Sequence, residues 1–160
     1  MTIQTGDRIP EVTLKRIREG VETIDTVALF DARKAVLFGV PGAFTPTCSA
    51  AHLPGFIEHF AEFRHRGIEV FCVAVNDPFV MKAWGEHQHV PDGLQMLSDG
   101  NGEFARALGL EMDASAAGMG LRSRRFALYV EDGTVRACFI EEPGKFEVSS
   151  ARYVLEHLPT

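Results

Sequence analysis

The sequence predicts an α/β protein built on a central mixed sheet, with helices on both faces and an N-terminal hairpin. Three observations carry that expectation. IEVFCVAV at 68–75 is a nearly unbroken apolar and β-branched run, as suits a strand covered on both faces. Leu53, Phe56, Ile57, Phe60 and Phe63 recur at helical spacing, and Asp132-Gly133 between two apolar runs signals a tight hairpin. A chain of 160 residues suits one domain, 1–160, able to bury a core without disulfide or metal staples.

Taken in order, Val12 to Ile17 and Val21 to Ile24 flank Glu19-Gly20 and predict the N-terminal hairpin. Asp25 to Phe30 is long enough for one helical turn over the sheet edge, and Ala35 to Val40 follows as a buried strand. Pro54 interrupts the helical pattern after it, so the preceding turn is expected to be a separate segment or to meet the rest at a kink. After the strand at 68–75, Asn76-Asp77-Pro78 reads as a capped helix start. Leu94 to Leu97 predicts a strand, Ser98 to Gly102 a loop, and Glu103 to Leu108 a helix. Glu111 to Ser123 has small residues and no period, and is expected to be a surface loop. Phe126 to Val130 and Thr134 to Ile140 complete the hairpin around Asp132-Gly133. Ser149 or Ser150 is placed to cap a last helix that carries Tyr153, Val154 and Leu158.

The chemistry concentrates in PGAFTPTCSAAHLPGF, Pro41 to Phe56, between a strand and a helix. Gly42 suits the turn, Pro46 the first helical positions, and Thr45 or Thr47 a cap. Cys48 falls in the first turn, where orphan N–H groups and the helix dipole favour thiolate over thiol. Thr45-Pro46-Thr47-Cys48 is a C-x-x-C shape with threonine in first place. A dithiol shuttle is disfavoured, and one nucleophilic sulfur with a nearby hydroxyl remains.

Pro41 to Phe56 resembles the active-site signature of the type II, or peroxiredoxin-5-like, peroxiredoxins. The similarity continues in Val75-Asn76-Asp77 with Phe79 and Trp84, and in Arg125-Phe126. It implies a thioredoxin-like fold and a thiol peroxidase that reduces hydrogen peroxide and organic hydroperoxides through a sulfenic acid on Cys48, in antioxidant defence. By the same resemblance Arg125 is the arginine that holds the thiolate and polarises the peroxide. Thr45 and the Cys48 amide contact the peroxide, and Pro41 shields the sulfur. Arg122 and Arg124 are left without a role, and His52 either orients the first turn or is simply packed. A homodimer through the active-site side is implied, with Phe44, Phe79 and Trp84 either an exposed patch or core.

Family members with an internal disulfide carry their resolving cysteine in the C-terminal segment, which here reads Phe146 to Ser150 and has none. A one-cysteine cycle is therefore expected, with glutathione and glutaredoxin favoured over thioredoxin as reductant. Two other classes use such a cysteine: a thiol transferase or peroxide sensor, and a non-catalytic thioredoxin-fold binding module.

The remaining observations narrow the setting. A net charge of −6 argues against nucleic acid or an anionic membrane as partner. No run approaches the ~20 apolar residues of a membrane span, and the start of the chain lacks the pattern of a signal peptide. Cysteines 48, 72 and 138 form neither a zinc pattern nor an even disulfide framework, which predicts a reducing, cytoplasmic setting. His52 with His59, or His87 with His89, lacks a third ligand at a recognised spacing, so no metal and no cofactor is expected. Cys72, central in its strand, reads as a buried small hydrophobe.

Overall fold

The computed structural model describes residues 1–159. Seven strands form one mixed sheet in the order β2-β1-β5-β4-β3-β8-β9. At its centre β3 (Lys34–Gly39), β4 (Ile68–Ala74) and β5 (Leu94–Ser98) run parallel. β8 (Phe126–Glu131) lies antiparallel to β3, and β9 (Thr134–Ile140) antiparallel to β8. The opposite edge is the hairpin β1 (Thr13–Ile17) and β2 (Val21–Asp25). The architecture is that of the thioredoxin-like fold.

The apolar run of β4 is sorted by the pleat. Val70, Cys72 and Ala74 face one cluster, and Phe71 and Val73 the other. The first cluster is covered by α2 (Leu53–Glu58), α3 (Phe60–His65), α4 (Pro78–His87) and α6 (Ala151–Glu156), through Phe56, Phe63, Trp84 and Val154. The second is covered by α1 (Thr26–Phe30) and α5 (Glu103–Leu108), through Phe30, Phe104 and Leu108. Both faces of the central strands are thus removed from water, which is why their sequences do not alternate.

Local chemistry sets the element ends. Asp25 accepts from Val27 N at the start of α1, Asp77 from Val80 N at α4, and Ser150 from Tyr153 N at α6. Ser149 does not cap; its hydroxyl bonds to the Glu141 carboxylate. Asp132 and Gly133 both have positive φ, 48° and 78°, the geometry of the two-residue turn that matches strand twist.

One expectation is corrected and one open alternative is decided. The stretch 111–123 is not simply a loop: β6 (Glu111–Asp113) pairs with β7 (Leu121–Ser123) as a small separate hairpin. Its strands are three residues each and bury only Ser123, so they carry no apolar alternation to read. Trp84 is core rather than surface, fully buried with its indole N–H donating to Ser49 Oγ at 3.0 Å. Phe44 and Phe79 are the exposed pair, at 51% and 66%. Among the described residues no helix is long and apolar enough to cross a membrane.

Candidate active site

The site forms at the C-terminal end of β3, where the sheet changes from parallel to antiparallel neighbours. That is where open α/β sheets leave a crevice. Gly39 closes β3 opposite Phe126, and a Cβ there would stand 2.0 Å from Cε1 of that ring. Only glycine lets Phe126 seat there, and Phe126 holds its neighbour Arg125 at the strand entrance.

The chain then turns through 40–47. Val40 N bonds to Val73 O at 3.1 Å, and Ala43 N to Asn76 Oδ1 at 2.9 Å, so the end of β4 and the loop after it clamp the turn. Gly42 lies close under the Arg122 side chain, where a Cβ would stand 2.8 Å from Nη1 and would push the guanidinium aside. The residue with positive φ is Phe44, at 63°. A large exposed side chain in that conformation is strained, and such strain gathers at functional sites.

Cys48 opens a π-helical turn, Cys48–His52, that runs directly into α2. The Leu53 N–H reaches back five residues to Cys48 O. Pro54 lacks an N–H and its ring crowds the carbonyl four residues earlier, so widening the turn before it removes the clash. The expected break at Pro54 is thus a change of helical pitch within a continuous segment. Neither threonine hydroxyl caps it: Thr47 makes no side-chain cap bond, and Thr45 Oγ1 donates to Gly42 O at 2.6 Å. With its proton committed there, Thr45 Oγ1 presents lone pairs as an acceptor.

Cys48 is fully buried, and Arg125 Nη2 donates to its Sγ at 3.3 Å. Arg125 Nη1 faces His52 Nδ1 at 2.9 Å. A guanidinium only donates, so Nδ1 is the acceptor and the imidazole proton sits on Nε2, which donates to Ser149 O at 2.9 Å. Burial first, and then the Arg125 charge, lower the His52 pKa to about 3, which keeps the ring neutral. Phe146 covers this pair, its ring centroid 5.6 Å from Arg125 Cζ and 5.0 Å from the His52 ring. The arginine is therefore held on two edges and one face.

Of the four residues singled out, Cys48 and Arg125 are in direct contact. Thr45 is one turn before the sulfur, and Pro41 lines a cleft of about 260 Å³ together with Thr47, Arg125 and Phe146. Arg122 donates to Met119 O and Pro41 O, and Arg124 to Glu141 O. His52 is the residue sequence reasoning left unplaced, and its spacing from Cys48, one turn of the wide helix, was the only local signal. Among the described residues no group of three or more His, Cys, Asp or Glu is placed to hold a metal ion.

The other thiols differ. Cys72 is fully buried in β4, and burial, then Cys48, push its pKa well above the ordinary value. Cys138 in β9 packs against the second cluster, on the face of the sheet opposite Cys48, and burial raises its pKa too.

The chain matches the Redoxin family model over residues 4–155. It is 49% identical over 164 residues to Peroxiredoxin-2E-2, chloroplastic, of Oryza sativa subsp. japonica, covering 98% of this chain and 73% of that one. It is 45% identical over 159 residues to Peroxiredoxin-2B of Arabidopsis thaliana, covering 98% of each. Among solved structures, reduced Prx3 in complex with hydrogen peroxide from Vibrio vulnificus superposes with a TM-score of 0.93 at 45% identity, covering 97% of this chain and 98% of that one.

Proposed function

The chain belongs to the redoxin family, among the type II peroxiredoxins, and is a thiol peroxidase; from that premise we propose how its residues share the work. Cys48 is the peroxidatic cysteine. Its thiolate attacks one oxygen of the O–O bond, that bond breaks, and the departing alkoxide or hydroxide takes a proton to leave as alcohol or water. The sulfur is oxidised to sulfenic acid and the peroxide reduced. Arg125 stabilises the thiolate and the charge growing on the leaving oxygen, Thr45 Oγ1 accepts from the peroxide O–H, and Pro41 screens the pocket from bulk water. The observation that carries this reading is the contact between Arg125 Nη2 and Cys48 Sγ, with the other guanidinium edge held by His52.

Hydrogen peroxide and organic hydroperoxides are the proposed substrates. For reduction we propose a one-cysteine cycle. The segment 146–150 beside the site supplies Ser149 and Phe146 but no cysteine. Cys138 lies on the opposite face of the sheet, and Cys72, in the same cluster as Cys48, is fixed in ladders on both sides with its thiol kept protonated by burial, which disfavours both as resolving partners. Glutathione then condenses with the sulfenic acid, releasing water, and a second thiol, presented by glutaredoxin, attacks the glutathione sulfur of the mixed disulfide, forming a new disulfide with it and releasing Cys48 as thiolate. A homodimer through the exposed Phe44 and Phe79 side is proposed, and a reducing compartment, the cytoplasm, on the three free cysteines.

One experiment covers both halves. The reduced protein is given one equivalent of peroxide, then glutathione, and its intact mass is read without reductant. A single glutathione adduct on Cys48 supports the cycle. Loss of two hydrogens with Cys48 joined to Cys72 or Cys138 would overturn the one-cysteine cycle, and no mass change would overturn the assignment of Cys48.

A further inference from the structure

β9 ends at Ile140, and the next side chain, Glu141, is only 3% exposed. A carboxylate in that position is costly unless several donors converge on it. Four do, all on Oε2: the backbone N–H groups of Glu147, Val148 and Ser149 at 2.7, 2.9 and 2.8 Å, and Ser149 Oγ at 2.7 Å. Three successive amides around one anion make a nest, and charge-assisted bonds are the stronger kind.

What the nest holds is the C-terminal segment that carries Ser149 O, the acceptor for His52 Nε2–H. Glu141 also holds Arg125 from behind, since its own N–H donates to Arg125 O at 3.0 Å. A line of contacts therefore runs from Glu141 to Ser149, to His52, to the Arg125 guanidinium and to Cys48 Sγ. It joins parts of the chain that lie far apart in sequence. Each link has one polarity: the carboxylate accepts, the amides donate, the Ser149 carbonyl accepts, and the imidazole donates at one nitrogen and accepts at the other.

We propose that Glu141 is a positioning residue for the peroxidase reaction, its carboxylate fixing the Ser149 carbonyl, hence the His52 tautomer and the approach of Arg125 to Cys48. The inference rests on the reading of Cys48 and Arg125 given above. Among the described residues, Cys48 is faced by Arg125 from the start of β8 and Cys72 from β4, while neutral His52 on its own turn holds Arg125, so Glu141 acts through the line of contacts.

The test is Glu141→Gln, alone and combined with His52→Asn, followed by stopped-flow oxidation with hydrogen peroxide, by the pH profile of Cys48 alkylation, and by nitrogen NMR of the His52 ring. Glu141→Gln is expected to slow oxidation about tenfold, the scale of one lost charge-assisted hydrogen bond. It should also move the alkylation profile to higher pH and remove the protected Nε2–H signal. In the His52→Asn background the same change should cost less than about twofold more, because the link is already cut. A wild-type rate, profile and ring signal in Glu141→Gln would overturn the proposal, as would independent, multiplying losses in the double variant. If Glu141→Gln does not fold, Ser149→Ala removes one of the four donors and keeps the carbonyl. A shift of rate and profile in the same direction supports the link, and no shift overturns it. Should the wild-type protein not consume peroxide at all, the peroxidase reading fails by itself, and the His52 ring signal still decides whether Glu141 sets the tautomer.

Discussion

Cys48 and Cys72 are both fully buried and belong to the same apolar cluster, yet their surroundings differ in kind. Cys72 sits in the middle of β4 between two parallel neighbours, with its side chain in the apolar cluster and no cation beside it among the described residues. Cys48 sits where β3 has ended and a widened helical turn begins, with a guanidinium nitrogen 3.3 Å from its sulfur. Burial alone pushes a thiol towards its neutral form. On the proposed reading, what separates a reactive cysteine from an inert one is the cation beside it, held in place by His52 and Phe146.

The largest effect expected from breaking this contrast is Cys48→Ser. The variant should fold normally and lose all measurable peroxide turnover with excess thiol, because a serine hydroxyl is scarcely ionised near neutral pH. Next is Arg125→Met, which keeps bulk but removes the donor. A fall in the stopped-flow oxidation rate of about 10²–10³-fold is expected, the range seen when a donor to a developing anion is deleted. Part of that loss should persist at high pH, where Cys48 is ionised in both proteins; full recovery there would limit Arg125 to thiolate formation.

His52 offers a test through pH. Its pKa lies near 3 in the folded protein against 6.5 for an ordinary histidine, so between those values the unfolded chain binds a proton that the folded one refuses. Stability should therefore be held above pH 6.5 and lost as pH falls towards 3. Between pH 7 and 4.5 the wild type should lose about 2–3 kcal/mol more than His52→Gln, since each pKa unit is worth about 1.4 kcal/mol. Urea unfolding at the two pH values measures the difference, and equal losses would mean that His52 is charged in the folded state.

The smallest effect is expected at Cys72. Its replacement by alanine should cost on the order of 1 kcal/mol for the small cavity left behind, while the first oxidation step changes by less than about twofold. A larger kinetic change would mean that β4 tunes the reactive sulfur.

Much of this contrast is legible in the sequence because it is local. The strand run at 68–75, the turn residues around Cys48 and the Asp-Gly hairpin each declare themselves within a few positions, and the order of strands and helices follows from them. The partners of the cation are not local. His52 meets an arginine 73 positions away and a carbonyl 97 positions away, and no periodicity encodes either contact. Glu141 was equally hidden: an acid after a strand, before Pro143-Gly144, usually faces water, and only the returning segment at 147–149 shows why it does not. Trp84 was readable in part, since Met81 and Trp84 share the buried face of α4 at helical spacing while Phe79 lies off it.

The most direct test of the central claim treats the reduced protein with substoichiometric hydrogen peroxide in the presence of dimedone, which traps sulfenic acids, and maps the adduct by peptide mass spectrometry. The account predicts label on Cys48, none on Cys72 or Cys138, and its loss in Arg125→Met at matched short times. Label on Cys72 or Cys138 at a rate comparable to Cys48, or undiminished labelling of Cys48 without Arg125, would contradict it.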